Sequence, residues 1–328
     1  MSRPYRIAVN VEWTSKCNAR CIMCPRDEIQ HAQLMNARIF EQVLGRLSSD
    51  DAFRAVIAGF GEPTTHPRFM DYIEVTRNHP VSFDLVSNGQ QLDPERLQHL
   101  DGAIGMLIIS FSSIGPSVYK NVHINLDQER VMRNIILAQR LLRRTQLAIS
   151  LTPVPECVPS LPRTIAWLRD QGVKHLTMSP TLYNRAGSLN DLHNMATDRL
   201  REIIREYRLH SQEFDFIPTL RDTFLQWRQN RFKCMPRNSD IFISATGHYL
   251  YCFNDIKHGH PIGHVAHMSL REALSQREKM GPRSELCDHC NIRHRYRLKE
   301  VSQVAIRYAR NKAISATMGD APQALGDV

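Results

Sequence analysis

Cys17, Cys21 and Cys24 crowd into one short stretch near the start of a 328-residue chain, in the pattern Cys-x3-Cys-x2-Cys. Thiolates so spaced can converge on one iron-sulfur cubane and leave its fourth iron without a protein ligand, an open position useful for chemistry. A structural zinc site usually takes four closed protein ligands, so three clustered cysteines suit an open-site cluster better. A second set is formed by Cys234, by Cys252 in a Gly247-x4-Cys252 turn, and by the pair Cys287 and Cys290. Four thiolates close a site, and from chemistry alone a four-cysteine zinc site competes here with a 4Fe-4S cluster. Cys157 is left over, readable either as a hydrogen-atom donor or as a small semi-buried apolar residue. The opening residues lack the marks of a secretion signal, so eight cysteines point to metal or catalytic use rather than to disulfides.

The elements that must position these groups show in the hydrophobic pattern. Short apolar runs over 7–12, 55–59, 82–87, 106–110, 146–152 and 175–179 read as strands. Helical spacing follows each, over 39–47, 69–77, 94–100, 128–142, 161–169 and 192–207. Six strand-helix units with right-handed crossovers make an α/β fold, a parallel sheet curled into an open or closed barrel with its loops gathered at one mouth. The first three cysteines fall in the loop after the first strand, hence at that mouth. Beyond residue 210 the pieces shorten, with a strand-turn-strand signal over 241–252 around Thr246-Gly247. We therefore expect a barrel domain over 1–211, a small cysteine-bearing domain over 212–295 and a basic, partly helical tail over 296–328.

Further marks fall at the ends of expected strands: Gly59-Phe60-Gly61-Glu62-Pro63 after the second, Ser87-Asn88-Gly89 after the third, Ser110-Phe111-Ser112 after the fourth and Asn184-Arg185 after the sixth. Each alone is an ordinary turn or cap. In this order behind the cysteine motif they resemble the radical S-adenosylmethionine (SAM) superfamily. The resemblance implies a partial (β/α)6 TIM-like barrel in which Cys17, Cys21 and Cys24 hold a 4Fe-4S cluster whose open iron is chelated by SAM. It further implies that Gly59, Gly61, Glu62 and Pro63 form the glycine-rich element at the SAM amino group. Ser87, Asn88, Ser110, Ser112 and Arg185 become cofactor contacts. Two departures stand out: Met23 occupies a position where an aromatic residue usually precedes the third cysteine, and Ser112 replaces a frequent aspartate. The Cys-x12-Gly-x4-Cys opening and terminal Cys-x2-Cys resemble the SPASM or twitch appendage, with fewer cysteines than the full pattern. That implies one auxiliary 4Fe-4S cluster on Cys234, Cys252, Cys287 and Cys290.

The resulting expectation is an oxidoreductase that cleaves SAM to a 5'-deoxyadenosyl radical, takes hydrogen from a small-molecule substrate and passes the remaining electron to the auxiliary cluster. An electron donor such as flavodoxin or ferredoxin would reduce it. Two other outcomes stay open within the class: epimerisation with Cys157 as hydrogen donor, and modification of a peptide. Few residues precede the cysteine motif at that end to form a leader-peptide module, which favours the small molecule. Glu156 and His66 are candidate proton acceptors by location, His66 equally a loop-shaping residue beside Pro67. Outside the class stands a zinc or nucleic-acid-binding protein, suggested by a formal charge of +9. It leaves the first three cysteines unexplained, and the basic residues are scattered without regular aromatics, so nucleic acid is not the expected partner. No apolar run approaches the roughly 18 residues of a membrane span, and the expected location is cytoplasmic.

Overall fold

The computed structural model describes residues 6–29, 32–179, 194–211 and 240–288, together with residues 228, 234, 290 and 306. Asn184, Arg185 and the basic tail expected over 296–328, save residue 306, lie outside the described residues. Six parallel strands form the centre: β1 (Ile7–Val11), β2 (Ala52–Ile57), β3 (Phe83–Ser87), β4 (Met106–Ser110), β5 (Gln146–Leu151) and β6 (His175–Met178). They run side by side in chain order, with β7 (His210–Ser211) beyond β6. Each reads as a nearly continuous apolar run because helices cover the outer face and the barrel core the inner. In β1, Ile7, Val9 and Val11 are fully buried, and a single hydrophobic core extends from them to Met178 in β6.

Helices α1 (Ala37–Arg46), α2 (Phe69–Thr76), α3 (Pro94–Leu100), α4 (Pro116–Val122), α5 (Gln128–Leu141), α6 (Leu161–Asp170) and α7 (Asn194–Glu206) supply the crossovers. Their starts are written locally. Asn36, Asp93 and Asp127 each accept a backbone N–H of the first turn, satisfying donors that the helix itself leaves unpaired. Helix α4 is absent from the sequence-based expectation. It is one of two helices between β4 and β5, and its seven residues, begun by Pro116, are too few to show a clear period.

The hairpin expected over 241–252 is present as β8 (Asp240–Ile243) and β9 (His248–Leu250), joined at Gly247, which takes φ +82. Its placement is not apparent from sequence. β8 pairs in parallel with β1, from Ala8 opposite Asp240 to Val11 opposite Ile243. With β10 (Pro261–His264) outside β9, the hairpin extends the barrel sheet to ten strands. α8 (Leu270–Met280), opened by a reciprocal capping box between Ser269 and Glu272, and the single turn α9 (Ser284–Cys287) follow. Among the described residues, no helix is long and apolar enough to cross a membrane.

Candidate functional site

The carboxyl ends of β1 to β5 share one rim, and the Cys17–Cys24 loop closes it. Trp13, just past β1, is fully buried and packs edge-on to Phe40 at 5.5 Å and Tyr72 at 5.4 Å between ring centroids. Beyond it the loop closes on itself: Thr14 bridges Leu34, Ser15 N–H donates to Gln33 O, and Met35 N–H donates to Trp13 O. The cysteines are thus presented by a loop tied at its base to the core.

A second tie comes from the segment after β2. Glu62 N–H donates to Lys16 O at 2.8 Å. A Cβ at Gly61 would lie 2.3 Å from both Lys16 O and Thr14 O, so this approach admits only glycine. Glu62 itself is fully enclosed. Its Oε1 accepts from Thr64 N–H, Thr64 Oγ1 and Ser87 Oγ, and its Oε2 accepts from Asn88 N–H at 2.7 Å. Burial outweighs these donors and raises its pKa above the usual carboxylate range. Asn88 Nδ2 then donates to Asn18 Oδ1 at 2.7 Å, reaching the residue after Cys17. Gly61, Glu62 and Asn88 therefore meet the cysteine loop and Ser87 supports Glu62, while Gly59 packs against the side chain of Glu12 and Pro63 starts a buried helical turn.

The third tie is the α4 end. Arg20 N–H donates to Ile124 O and Ile22 N–H donates to Val122 O. This brings His123 against the motif, with Nδ1 at 3.5 Å from Cys21 Sγ. His123 Nε2 lies 3.1 Å from Ser112 Oγ, which also accepts from Thr152 N–H. Ser112 is fully buried and its hydroxyl is engaged within the fold; Ser110 is half-buried at the end of β4. Burial holds His123 well below the ordinary imidazole range, at about 4.

The donor set suits a cubane. Cys17, Cys21 and Cys24 are each half-buried, and Cys17 Sγ accepts from Ala19 N–H at 3.4 Å. Burial first, then the charges of Cys17 and Cys24, pushes the Cys21 thiol up to about 12. A thiol so held ionises in company with a cation, because a coordinating metal removes the proton outright. Among the described residues no three side chains close around a single metal-ion position. In a cubane each thiolate takes a different iron, so the sulfurs stand farther apart than around one ion. Tyr119 adds an unexplained donor: its buried hydroxyl has no hydrogen-bond partner among the described residues and feels the Cys21 charge. A cavity of about 260 Å³ opens beside the loop, lined by Cys17, Asn18, Ala19, Arg20, Asp27 and Asn125.

The second cysteine set begins its described contacts at Cys252, two residues past β9. Cys252 is pushed above the ordinary thiol range by burial, with further contributions from Cys234, Asp240 and Cys290. Asn254 Nδ2 donates to Cys290 Sγ at 3.6 Å, and Cys290 N–H donates to Cys287 O at 3.3 Å. Cys252 thus has Cys234 and Cys290 as electrostatic neighbours, and Cys287 lies one turn from Cys290.

Cys157 is fully buried with Val122 and Val154, and Met23 packs on the same patch. Burial pushes its thiol up to about 12, so it stays protonated. Met23 therefore fills an apolar gap beside Cys24, as flexible methionine does. His66 is a loop-shaping residue, its Nε2 on Met35 O and its Nδ1 accepting from Arg68 N–H; Glu156 is exposed. Asn18, His123 and Glu12 carry the site without a sequence mark. Glu12, nearly fully buried, accepts from Phe60 N–H and Ala245 N–H, pinning the rim to the β8 turn.

Comparison with known proteins places this rim. Residues 11–157 match the model of the radical SAM superfamily. A curated relative from Pyrococcus furiosus, the tungsten-containing aldehyde ferredoxin oxidoreductase cofactor-modifying protein, is 25% identical over 191 residues, covering 56% of this chain and 53% of its own. The chain thus spans about half the length of that relative. Among solved structures, native anSMEcpe with bound SAM superposes with a TM-score of 0.63 at 14% identity, over 95% of this chain and 99% of that one. SuiB of Streptococcus suis bound to precursor peptide SuiA gives a TM-score of 0.62 at 11% identity, over 82% of this chain and 64% of that one. These two likenesses bear out the expected α/β partial-barrel fold.

Proposed function

We propose, from the match of residues 11–157 to the radical SAM superfamily model, that this chain is an enzyme that reductively cleaves SAM and removes hydrogen from a small-molecule substrate. The observation that carries the reading is the loop itself: three half-buried thiols held at the rim by Gly61, Glu62 and the end of α4. Cys17, Cys21 and Cys24 would hold a 4Fe-4S cluster. When bound, that cluster supplies the electron that splits SAM into methionine and a 5'-deoxyadenosyl radical, which then takes one hydrogen atom from the substrate.

The chain's own part is placement. The Gly59 to Pro63 segment, which meets the cysteine loop at Gly61 and Glu62, would let backbone approach SAM closely; Ser87 and Asn88, bonded to Glu62, would join it, and Ser110 and Arg185 belong to the same proposed cofactor set. Ser112 acts from inside the fold. Cys234, Cys252, Cys287 and Cys290 would bind an auxiliary 4Fe-4S cluster; the nearness of Cys252 to both Cys234 and Cys290 supports a shared metal centre. That cluster would accept the electron left on the substrate as a proton departs, making the net change a two-electron oxidation. Reduction from outside would come from a small electron-transfer protein such as flavodoxin or ferredoxin. The chain would be divided near residue 211 into barrel and auxiliary-cluster parts, and would act in the cytoplasm.

A second outcome, epimerisation, is favoured by one observation: Cys157, kept as a thiol, shares a patch with Met23 beside Cys24. A peptide substrate draws support only from neighbours of this fold that were solved with peptides. The test of the reading is anaerobic reconstitution with iron and sulfide. Brown protein whose reduced cluster signal in electron paramagnetic resonance (EPR) changes on SAM addition supports it. Colourless protein that takes up zinc but no iron contradicts it. Product formed in deuterated buffer then separates the outcomes: carbon-bound deuterium at unchanged oxidation level means epimerisation, loss of two hydrogens means oxidation.

A further inference from the structure

The polar chain running from the β5 end to Cys21 is not accounted for by cofactor placement. Ser112 Oγ accepts from the Thr152 backbone N–H at 3.1 Å and lies 3.1 Å from His123 Nε2; His123 Nδ1 lies 3.5 Å from Cys21 Sγ. Thr152 N–H can only donate, so it takes one lone pair of the Ser112 hydroxyl and leaves the hydroxyl hydrogen available to Nε2. A cysteine bound to iron has lost its proton and can only accept. The Cys21 end therefore requires the ring nitrogen facing it to carry hydrogen, and in the neutral ring that tautomer leaves Nε2 to accept from Ser112. His123 is itself held, by the tilted ring contact with Tyr119 at 4.6 Å between centroids and by the bonds from Arg20 and Ile22 to its flanking residues.

We propose that His123 is a tuning residue of the SAM-binding cluster, donating an Nδ1–H···S hydrogen bond to Cys21 that is oriented by Ser112. The inference rests on the reading that Cys17, Cys21 and Cys24 hold a 4Fe-4S cluster. A hydrogen bond to a ligating sulfur stabilises negative charge on the cluster, and the reduced cluster carries one more electron than the oxidised one. His123 thus favours the reduced form and raises the midpoint potential. Cys21 Sγ has this ring nitrogen at 3.5 Å, and Cys17 Sγ accepts from the backbone N–H of Ala19.

The test is an anaerobic redox titration of the reconstituted full chain, followed by the EPR signal of the reduced cluster, with iron content measured in parallel. His123→Asn places an amide where Nδ1 stands and keeps the donor to sulfur. His123→Gln places it where Nε2 stands and keeps only the Ser112 side; His123→Phe removes both. At equal iron content, Gln and Phe should titrate at a more negative potential than wild type, with Asn returning towards it. Gln and Phe variants that load iron and titrate at the wild-type potential overturn the inference while leaving the cluster assignment standing. Gln and Asn shifting alike also overturn it, since loss of ring packing alone would act on both. Wild-type chain that takes up no iron overturns the cluster assignment and this inference together.

Discussion

Asn88 at the end of β3 donates its side-chain amide to Asn18 Oδ1 at 2.7 Å, while its backbone N–H donates to Glu62 Oε2. One residue thus joins the glycine-rich segment after β2 to the cysteine loop. Removing the link by Asn18→Ala should cost the loop about 1 kcal/mol. Amide exchange over residues 15–29 should then accelerate about fivefold, with the β-strand amides unchanged. Asn18→Asp keeps the acceptor and should stay near wild type.

Gly61 and Gly45 make opposite predictions for the same substitution. Gly61→Ala drives a Cβ into Lys16 O and Thr14 O and should destabilise by about 1–3 kcal/mol with impaired iron loading. Gly45, exposed near the end of α1, has open space around the Cβ position. Gly45→Ala should stabilise by up to about 1 kcal/mol. Thermal melts and iron content of the two variants check both.

What the sequence conveys about this site follows the range of the interactions. Parallel central strands are buried on both faces, so β1 to β6 stand out as apolar runs. The bounds expected for β4 and α3 coincide with those observed, and the others differ mostly by one or two residues at their ends. Cys17, Cys21 and Cys24 are close in sequence because one loop must hold them. His123 meets Cys21 from 102 residues away, at the end of a short helix without a clear period, and no local pattern encodes that meeting. The same holds for β8 beside β1, a parallel neighbour reached only after the whole barrel has been traversed. Glu12 has the composition of an exposed strand end, yet its buried carboxylate takes backbone donors from two distant turns.

Asp101 offers a pH test. Its Oδ1 accepts from the backbone N–H groups of Arg143, Arg144 and Thr145 at 2.9, 2.7 and 2.9 Å. Although partial burial works the other way, these bonds and the Arg144 charge hold the carboxyl below its ordinary value of 3.8. A carboxylate depressed on folding contributes stability above its unfolded pKa and loses it as pH falls through the folded one. Asp101→Asn should therefore lower the Tm at pH 7 by the equivalent of about 1 kcal/mol. The gap from wild type should narrow as pH drops below 3.8.

The second cysteine set predicts an iron count. Cys252→Ala combined with Cys290→Ala should reduce reconstituted iron from about eight to about four atoms per chain, while the reduced cluster that responds to SAM persists. Zinc in place of the missing iron in wild type would mark a four-cysteine zinc site there instead.

The most direct measurement is 5'-deoxyadenosine formed from SAM under a strong reductant, comparing reconstituted wild type with the variant carrying Cys17→Ala, Cys21→Ala and Cys24→Ala. Formation by wild type and none by the variant is the predicted result. Iron-replete wild type that forms no 5'-deoxyadenosine, or a variant that forms as much as wild type, would contradict the account.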